Sequence, residues 1–156
     1  MSERKNSVLN VLDVLRKYSD EKHPLTYSQI IEKLKSIYDM DIERKTIARD
    51  IDILLSNNFD VVKCGNKGLY LSERKFTEGE LHFLIDAIYS SRSMPVKYAK
   101  DLVDKLMDDY SIYEKRKFTH LGKIDVGKIV DNKQIFYTIE LLNEAIEQGK
   151  KVEFQY

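Results

Sequence analysis

The first 56 residues contain three segments in which apolar side chains recur at helical spacing. Residues 7–18 hold six Val and Leu residues, which is more apolar surface than one helix stripe needs. That helix is expected to be buried on two sides or to meet a partner. The third segment, residues 41–55, carries one apolar face formed by Ile47, Ile51, Leu54 and Leu55. The pattern predicts three helices in succession.

The second helix has the clearest start signal of the three. Thr26 and Gln29 have the spacing of a capping box, in which each side chain binds a backbone N–H group at the helix start. Leu25 and Ile30 stand where a hydrophobic staple needs them. The positions predicted to face the core are Ile30, Leu34, Ile37 and Tyr38.

A β-hairpin is predicted after the third helix. Two short β-prone runs, residues 61–62 and 69–71, flank a turn at residues 65–68 whose Gly and Asn residues tolerate positive φ. Three helices and a hairpin, with a short turn between the second and third helices, are typical of a winged helix-turn-helix. We therefore expect a mainly α fold with a winged helix-turn-helix domain at residues 1–75.

The second half of the chain is predicted to be a helical connector at residues 76–149. Asn132 is the expected cap of its last helix, and Gly149 the expected residue just after that helix. Residues 111–131 show no interpretable pattern. The helices of the connector are predicted at 77–90, 95–110 and 132–148.

The last seven residues, 150–156, alternate apolar and polar side chains like a half-buried strand. A strand needs partners in a sheet, and the sequence stops there. We therefore expect this strand to be the first of a further domain, in a chain cut from a longer protein.

Charge and cysteine content limit which partners and which cellular compartment the sequence is compatible with. The chain has 26 basic and 26 acidic residues, so any nucleic-acid partner must be held by a local basic patch rather than by net charge. One cysteine, Cys64, excludes an intrachain disulfide, and we interpret it as a strand residue. The sequence has neither a signal peptide nor an 18-residue apolar run, which favours a cytoplasmic protein without a membrane span.

The third helix carries the candidate chemistry on its outward face. On a helical wheel Lys45 and Arg49 point most directly away from the apolar stripe. Arg can bridge O6 and N7 of guanine in the major groove, Lys is an alternative donor, and Thr46 is placed to touch a phosphate or a thymine methyl group. Asp50 is expected to orient a basic side chain or to cap a local turn. A plain solvated helix face would show the same charges.

Residues 44–61, RKTIARDIDILLSNNFDV, resemble the recognition helix and the start of the wing in WYL-domain transcriptional regulators. Residues 141–156 are similar to that family's approach to the WYL domain. The Trp-Tyr-Leu motif is absent, so the effector-sensing part is expected to lie outside this sequence. Glu43 stands where the family commonly has a Ser or Thr cap, so Asp41 is expected to cap the helix instead. The family pattern R-x-T-x-x-R-D-I is matched by Arg44, Thr46, Arg49, Asp50 and Ile51.

The resemblance implies sequence-specific binding of double-stranded DNA in transcription regulation, with no cofactor, no metal and no enzymatic step. A homodimer is expected, since symmetric half-sites require two copies, with contacts from the connector and help from Val11 and Val14. The effector is unknown. The alternative is a protein-interaction or dimerisation module without DNA readout. The expected DNA-binding residues are Arg44, Lys45, Thr46, Arg49, Lys63, Asn66 and Lys67.

A metal site is not predicted. The three histidines, His23, His82 and His120, lie far apart in the sequence and have no paired ligand spacing with Cys64. The glycines of the predicted turn do not have the spacing of a phosphate-binding loop.

Overall fold

The computed structural model describes residues 7–91, 94–119 and 135–153. It is mainly helical, and three helices followed by an antiparallel hairpin form the predicted winged helix-turn-helix arrangement. The fold class expected from the sequence is thus confirmed. The elements are α1 (Ser7–Tyr18), α2 (Tyr27–Tyr38), α3 (Arg44–Ser56), β1 (Val61–Lys63), β2 (Leu69–Leu71), α4 (Glu78–Ser90), α5 (Val96–Leu106), α6 (Ile112–Lys117) and α7 (Ile135–Glu147).

Helix α1 is the centre of the winged helix. It contacts α2, α3, β2 and α6, which explains why its apolar residues exceed a single stripe. Val11 and Val14 are completely buried, so the expectation that they help to form a dimer interface is wrong. The buried cluster around α1 comprises Val11, Leu12, Val14, Leu15, Leu25, Ile30, Leu34, Ile47, Ile51, Leu54, Val61, Leu69 and Leu71.

The start of α2 is the predicted capping box. The Gln29 backbone N–H donates to Thr26 Oγ1 at 3.3 Å, and the Thr26 N–H donates to Gln29 Oε1 at 2.8 Å. The helix ends where Asp39 takes a left-handed conformation, with φ of 52°. The short turn to α3 begins there, as the helix-turn-helix prediction requires.

The start of α3 differs from the prediction. Its N-cap residue is Glu43, whose backbone is extended and whose side chain makes no capping hydrogen bond. The Thr46 N–H donates instead to the Glu43 carbonyl oxygen at 2.9 Å. The expectation that Asp41 caps this helix is wrong, because the helix begins three residues later, at Arg44.

The hairpin is joined to the start of α2 by a short β-bridge. Strands β1 and β2 pair with Val61 opposite Leu71 and Lys63 opposite Leu69. The Leu25 N–H donates to the Leu69 carbonyl oxygen at 2.8 Å, and the Leu69 N–H donates back at 2.9 Å. The wing is therefore tied to the helix-turn-helix by backbone hydrogen bonds as well as by apolar packing.

The chain divides into two compact units. Within the described residues, the first unit runs to Glu78 and also takes in Met107–Thr119, which lies inside the predicted connector. The second contains Gly79–Leu106 and the described residues beyond position 134. In the first unit α6 packs on α1. Residues 107–119 therefore belong to the same compact unit as the winged helix.

Several positions predicted to be buried are exposed. Ile37 on α2 and Leu55 on α3 lie at the edges of their apolar stripes and are 44 % and 38 % exposed. The helical spacing of apolar residues in the connector also predicts burial of Val96, Ile139 and Ile146, and these side chains are exposed as well.

Helix α7 ends as predicted, with Gly149 at φ of 61° after the last helical turn. The expected cap, Asn132, lies outside the described residues. Residues 150–153 have no regular secondary structure, and the rest of the predicted final strand is also outside the described part. None of the helices in the described part is long and apolar enough to cross a membrane.

Candidate nucleic-acid interface

The outer ridge of α3 is set by what its inner face buries. Ile47, Ile51 and Leu54 point into the core. A helix turns by about 100° per residue, so Lys45 and Arg49 lie on the opposite side, and both are exposed. Neither forms an ion pair with a carboxylate in the part of the chain that the structure describes. The ridge thus presents two cations to its surroundings.

The first turn of α3 is held against the first turn of α2. The Arg44 guanidinium lies 5.1 Å from the centre of the Tyr27 ring, within the range of a cation–π contact. Arg44 remains exposed, while Thr46 is half-buried. Arg44, Lys45, Thr46 and Arg49 therefore share the first two turns of α3, and the Tyr27 ring limits where the Arg44 side chain can reach.

Asp50 lies on the inner side of α3 and is only 4 % exposed. Burial raises the pKa of its carboxyl group, and a hydrogen bond with Ser7 and the nearby charge of Arg49 oppose that rise. Oδ2 has no hydrogen-bond partner among the described residues. The expectation that Asp50 orients a basic side chain or caps a local turn is wrong, since its hydrogen bond joins α3 to the first residue of α1.

The wing reaches the outer ridge through one ion pair. Lys63, the last residue of β1, places Nζ 3.5 Å from Oδ1 of Asp52 on α3. Both side chains are more than half exposed. Lys63, an expected DNA-binding residue, therefore has a carboxylate partner within the protein itself.

The tip of the wing presents Asn66 and Lys67, and both are exposed. The Cys64 N–H donates to the Gly68 carbonyl oxygen at 2.8 Å, and the Lys67 N–H donates to the Cys64 carbonyl oxygen at 3.0 Å. These bonds close a single 3-10 turn at Gly65–Lys67. Cys64 was predicted to be a strand residue, but β1 ends at Lys63 because the chain turns at Cys64.

A polar cluster that the sequence did not predict fixes the turn between α1 and α2. His23 Nδ1 lies 2.7 Å from Asp20 Oδ1, and the Ser111 hydroxyl donates to Asp20 Oδ2 at 3.1 Å. Burial alone would raise the pKa of Asp20, but the hydrogen bonds from His23 and Ser111 outweigh it and hold the pKa below its usual value. The His23 ring also stacks on Tyr113, with ring centres 3.8 Å apart.

A second set of contacts joins the end of the wing to the same segment. Arg74 Nε lies 3.1 and 3.0 Å from the two carboxylate oxygens of Glu114, and Arg74 Nη2 donates to the Ser19 carbonyl oxygen at 3.0 Å. The Phe76 N–H donates to the Tyr110 hydroxyl oxygen at 3.0 Å, and that hydroxyl donates to the Phe76 carbonyl oxygen at 3.0 Å. Residues 107–119 are thus clamped to the winged helix by polar contacts.

One sequence signal could have revealed this segment. Ser111 and Glu114 have the S-x-x-E spacing of a capping box, and the structure forms both of its hydrogen bonds at the start of α6. The partners Asp20 and Arg74 could not be read from the same pattern, because they lie 91 and 40 residues away.

The residues that the structure describes contain no group of three His, Cys, Asp or Glu side chains arranged to hold a metal ion. His23 and His82 each lie beside a carboxylate of their own local segment. His120 is outside the described residues.

Comparison of the chain with protein-family models, with curated proteins and with solved structures finds no match in any of the three. The geometry of the α3 ridge and the wing must therefore support any functional proposal without help from a relative.

Proposed function

We propose that the chain binds double-stranded DNA sequence-specifically through α3 and the wing, and acts in transcription regulation. In this proposal α3 lies in the major groove, where Lys45 and Arg49 contact base edges. Lys67 and Asn66 at the wing tip contact the phosphate backbone. The proposal involves no chemical step and no cofactor.

The supporting observation is the pair of cations on the outward face of α3. Lys45 and Arg49 lie one helical turn apart, both are exposed, and neither has an ion-pair partner among the described residues. Other exposed cations of the first unit, such as Lys35 and Arg116, also have no carboxylate partner among those residues, so the support comes from the position of Lys45 and Arg49 on α3.

The fold adds a second, weaker support. In a winged helix-turn-helix the third helix is the element that enters the major groove, and this is the helix on which Lys45 and Arg49 lie. The resemblance of residues 44–61 to WYL-domain regulators suggests the same use. Membership of that family and the cytoplasmic location inferred from the sequence stay predictions.

Salt-dependent binding to a random-sequence duplex tests the proposal. The logarithm of the association constant should fall linearly with the logarithm of salt concentration, with a slope of about −0.9 for each phosphate neutralised. Fluorescence anisotropy of a labelled duplex over a salt series measures this slope. A slope near zero would contradict DNA binding and favour the protein-interaction alternative.

A second candidate function, self-association, has its own observation. In the second unit several apolar side chains are exposed, and Ile146 on α7 is 75 % exposed. Surfaces of this kind are often covered by a partner. We propose that they form a homodimer contact, which is compatible with DNA binding because a two-fold dimer suits symmetric half-sites. The exposed apolar residues of the second unit are Phe83, Val96, Tyr137, Ile139, Leu141, Ile146 and Val152.

A further inference from the structure

The exposed ridge of α3 carries one acidic side chain among its cations. Lys45, Arg49 and Asp52 are spaced i, i+4 and i+7, so they fall on one line along the helix surface. The Asp52 side chain is 70 % exposed. A carboxylate on this line faces the same surroundings as the two cations, and a phosphate brought to the ridge would be repelled by it.

The same carboxylate is the partner of the nearest cation on the wing. Lys63 Nζ lies 3.5 Å from Asp52 Oδ1, and the Lys63 side chain is 52 % exposed. Strand β1 packs beside α3, so the two side chains are brought together by the fold and not by chance sequence proximity. Asp52 and Lys63 are eleven positions apart.

The other cation of the wing is in a different position. Lys67 at the tip is exposed and has no carboxylate partner among the residues described. Lys67 can therefore bind an anion directly. Lys63 can bind one only after it separates from Asp52. Exposed ion pairs are weak and screened by salt, so DNA can compete for Lys63, but only by separating it from Asp52.

We propose that Asp52 limits sequence-independent DNA binding by competing with phosphate for Lys63. This inference rests on the proposed function. It means that α3 carries Asp52, which weakens binding to the DNA phosphate backbone, beside Lys45 and Arg49, which favour DNA binding. In this view Lys67 is the phosphate contact of the wing, and Lys63 contributes fully only when the Asp52 charge is removed. Such a limit would keep the domain from being retained on non-cognate DNA, which presents the same phosphates everywhere.

The size of the effect follows from counterion release. One additional neutralised phosphate steepens the salt slope by about 0.9 and raises affinity about 5- to 10-fold near 0.1 M salt. Asp52→Asn should therefore tighten binding to a random duplex by about that factor. Lys63→Gln should have little effect in the wild-type chain. In the Asp52→Asn chain the same Lys63→Gln change should remove most of the gain, so the two substitutions should not be additive.

The experiment uses the full chain and five proteins, namely the wild type, both single variants, the double variant and one control variant. Each is titrated with a labelled random-sequence duplex over a salt series. Asp101→Asn is the matched control, because Asp101 is an exposed carboxylate on α5, outside the first unit, and its change adds the same charge. Both side chains of the ion pair are exposed, so circular dichroism is expected to show unchanged folding for every variant.

The inference is supported by a steeper slope in Asp52→Asn alone and by a non-additive double variant. It is overturned if Asp101→Asn tightens binding as much as Asp52→Asn does, because the effect is then one of net charge. It is also overturned if the double variant keeps the full gain, because Lys63 is then not the competing group. A wild-type chain that does not bind the duplex would overturn the proposed function, and that result appears before any variant is compared.

Discussion

Gly68 lies directly against the backbone of Leu25. A Cβ atom at position 68 would be 2.3 Å from the Leu25 carbonyl oxygen, and the φ of Gly68 is 114°. Only glycine adopts this φ easily, and only glycine leaves room for the bridge between Leu25 and Leu69. The position of the wing relative to α2 therefore depends on the missing side chain at residue 68.

Gly68→Ala should accordingly lower the free energy of unfolding by more than about 2 kcal/mol, because it adds a backbone clash to an unfavourable φ. Gly65→Ala is the matched control. Gly65 also has positive φ, at 56°, but a Cβ there meets nothing within 4 Å, so the cost should be about 1 kcal/mol. Urea denaturation measures both values. Equal losses would show that the contact with Leu25 contributes nothing.

Arg49 is predicted to carry sequence readout. Its exposed position on α3 suits a bidentate contact with guanine, so Arg49→Ala should cost about 1–3 kcal/mol on a selected cognate site and much less on random DNA. Competition binding with the two duplexes measures the difference. Arg116→Ala, which removes an exposed Arg from α6, is the control and should not change the preference. Equal losses on both duplexes for Arg49→Ala would mean that Arg49 only touches phosphate.

Lys67 is predicted to bind phosphate through the tip of the wing. Lys67→Ala should weaken binding evenly across sequences and reduce the salt slope by about one unit, since one phosphate contact is lost. Lys97→Ala on α5 removes an equivalent exposed charge outside the first unit and should leave the slope nearly unchanged. A slope that Lys67→Ala does not alter would place the wing tip away from DNA.

The helices and turns of the winged helix could be predicted because their signals are local. The capping box of α2, the apolar face of α3 and the glycines of the wing turn each specify structure within a few residues. The burial of α1 on several sides was also visible as an excess of apolar positions. From the sequence alone, the extra apolar residues of α1 could be covered either by other parts of the same chain or by a partner protein. The structure shows that α2, α3, β2 and α6 contact this helix.

The polar contacts could not be predicted, because they join residues far apart in the chain. Lys63 is expected from the sequence to bind DNA, but its pairing with Asp52 depends on how β1 packs beside α3. Helix α6 has six residues, too few for an apolar period to be seen. Its anchor, the bond from Ser111 to Asp20, depends on the packing of α6 against α1.

Asp20 and Asp50 should respond oppositely to pH. The pKa of Asp20 is lowered in the folded chain, so its contribution to stability is complete above its ordinary pKa of 3.8 and is lost as pH falls below that value. Asp20→Asn should cost about 1 kcal/mol near pH 7, because hydrogen bonds to a charged carboxylate are replaced by weaker ones. It should also flatten the acid side of the stability profile.

The pKa of Asp50 is raised, so its ionised form is the less stable one in the folded chain. The destabilisation that ionised Asp50 causes should therefore diminish as pH falls towards and below the raised pKa, where the carboxyl group is protonated. Asp50→Asn should be neutral or stabilising near pH 7. Urea denaturation from pH 3 to 7 compares the two variants. A stability loss in Asp50→Asn as large as that in Asp20→Asn would show that the Asp50 charge is needed in the fold.

Self-association is predicted to depend on α7. Ile146 is 75 % exposed on α7, and Ile139, seven positions earlier on the same side of the helix, is 47 % exposed, so a second copy could bury both side chains. Light scattering of the wild type at tens of micromolar should give a dimer mass, and Ile146→Glu should shift it to a monomer. Leu9→Glu is the control, because Leu9 is 63 % exposed on α1 in the first unit. It should leave the dimer intact. A wild type that stays monomeric would contradict the prediction, and a dimer lost equally in both variants would show that α7 is not the specific contact.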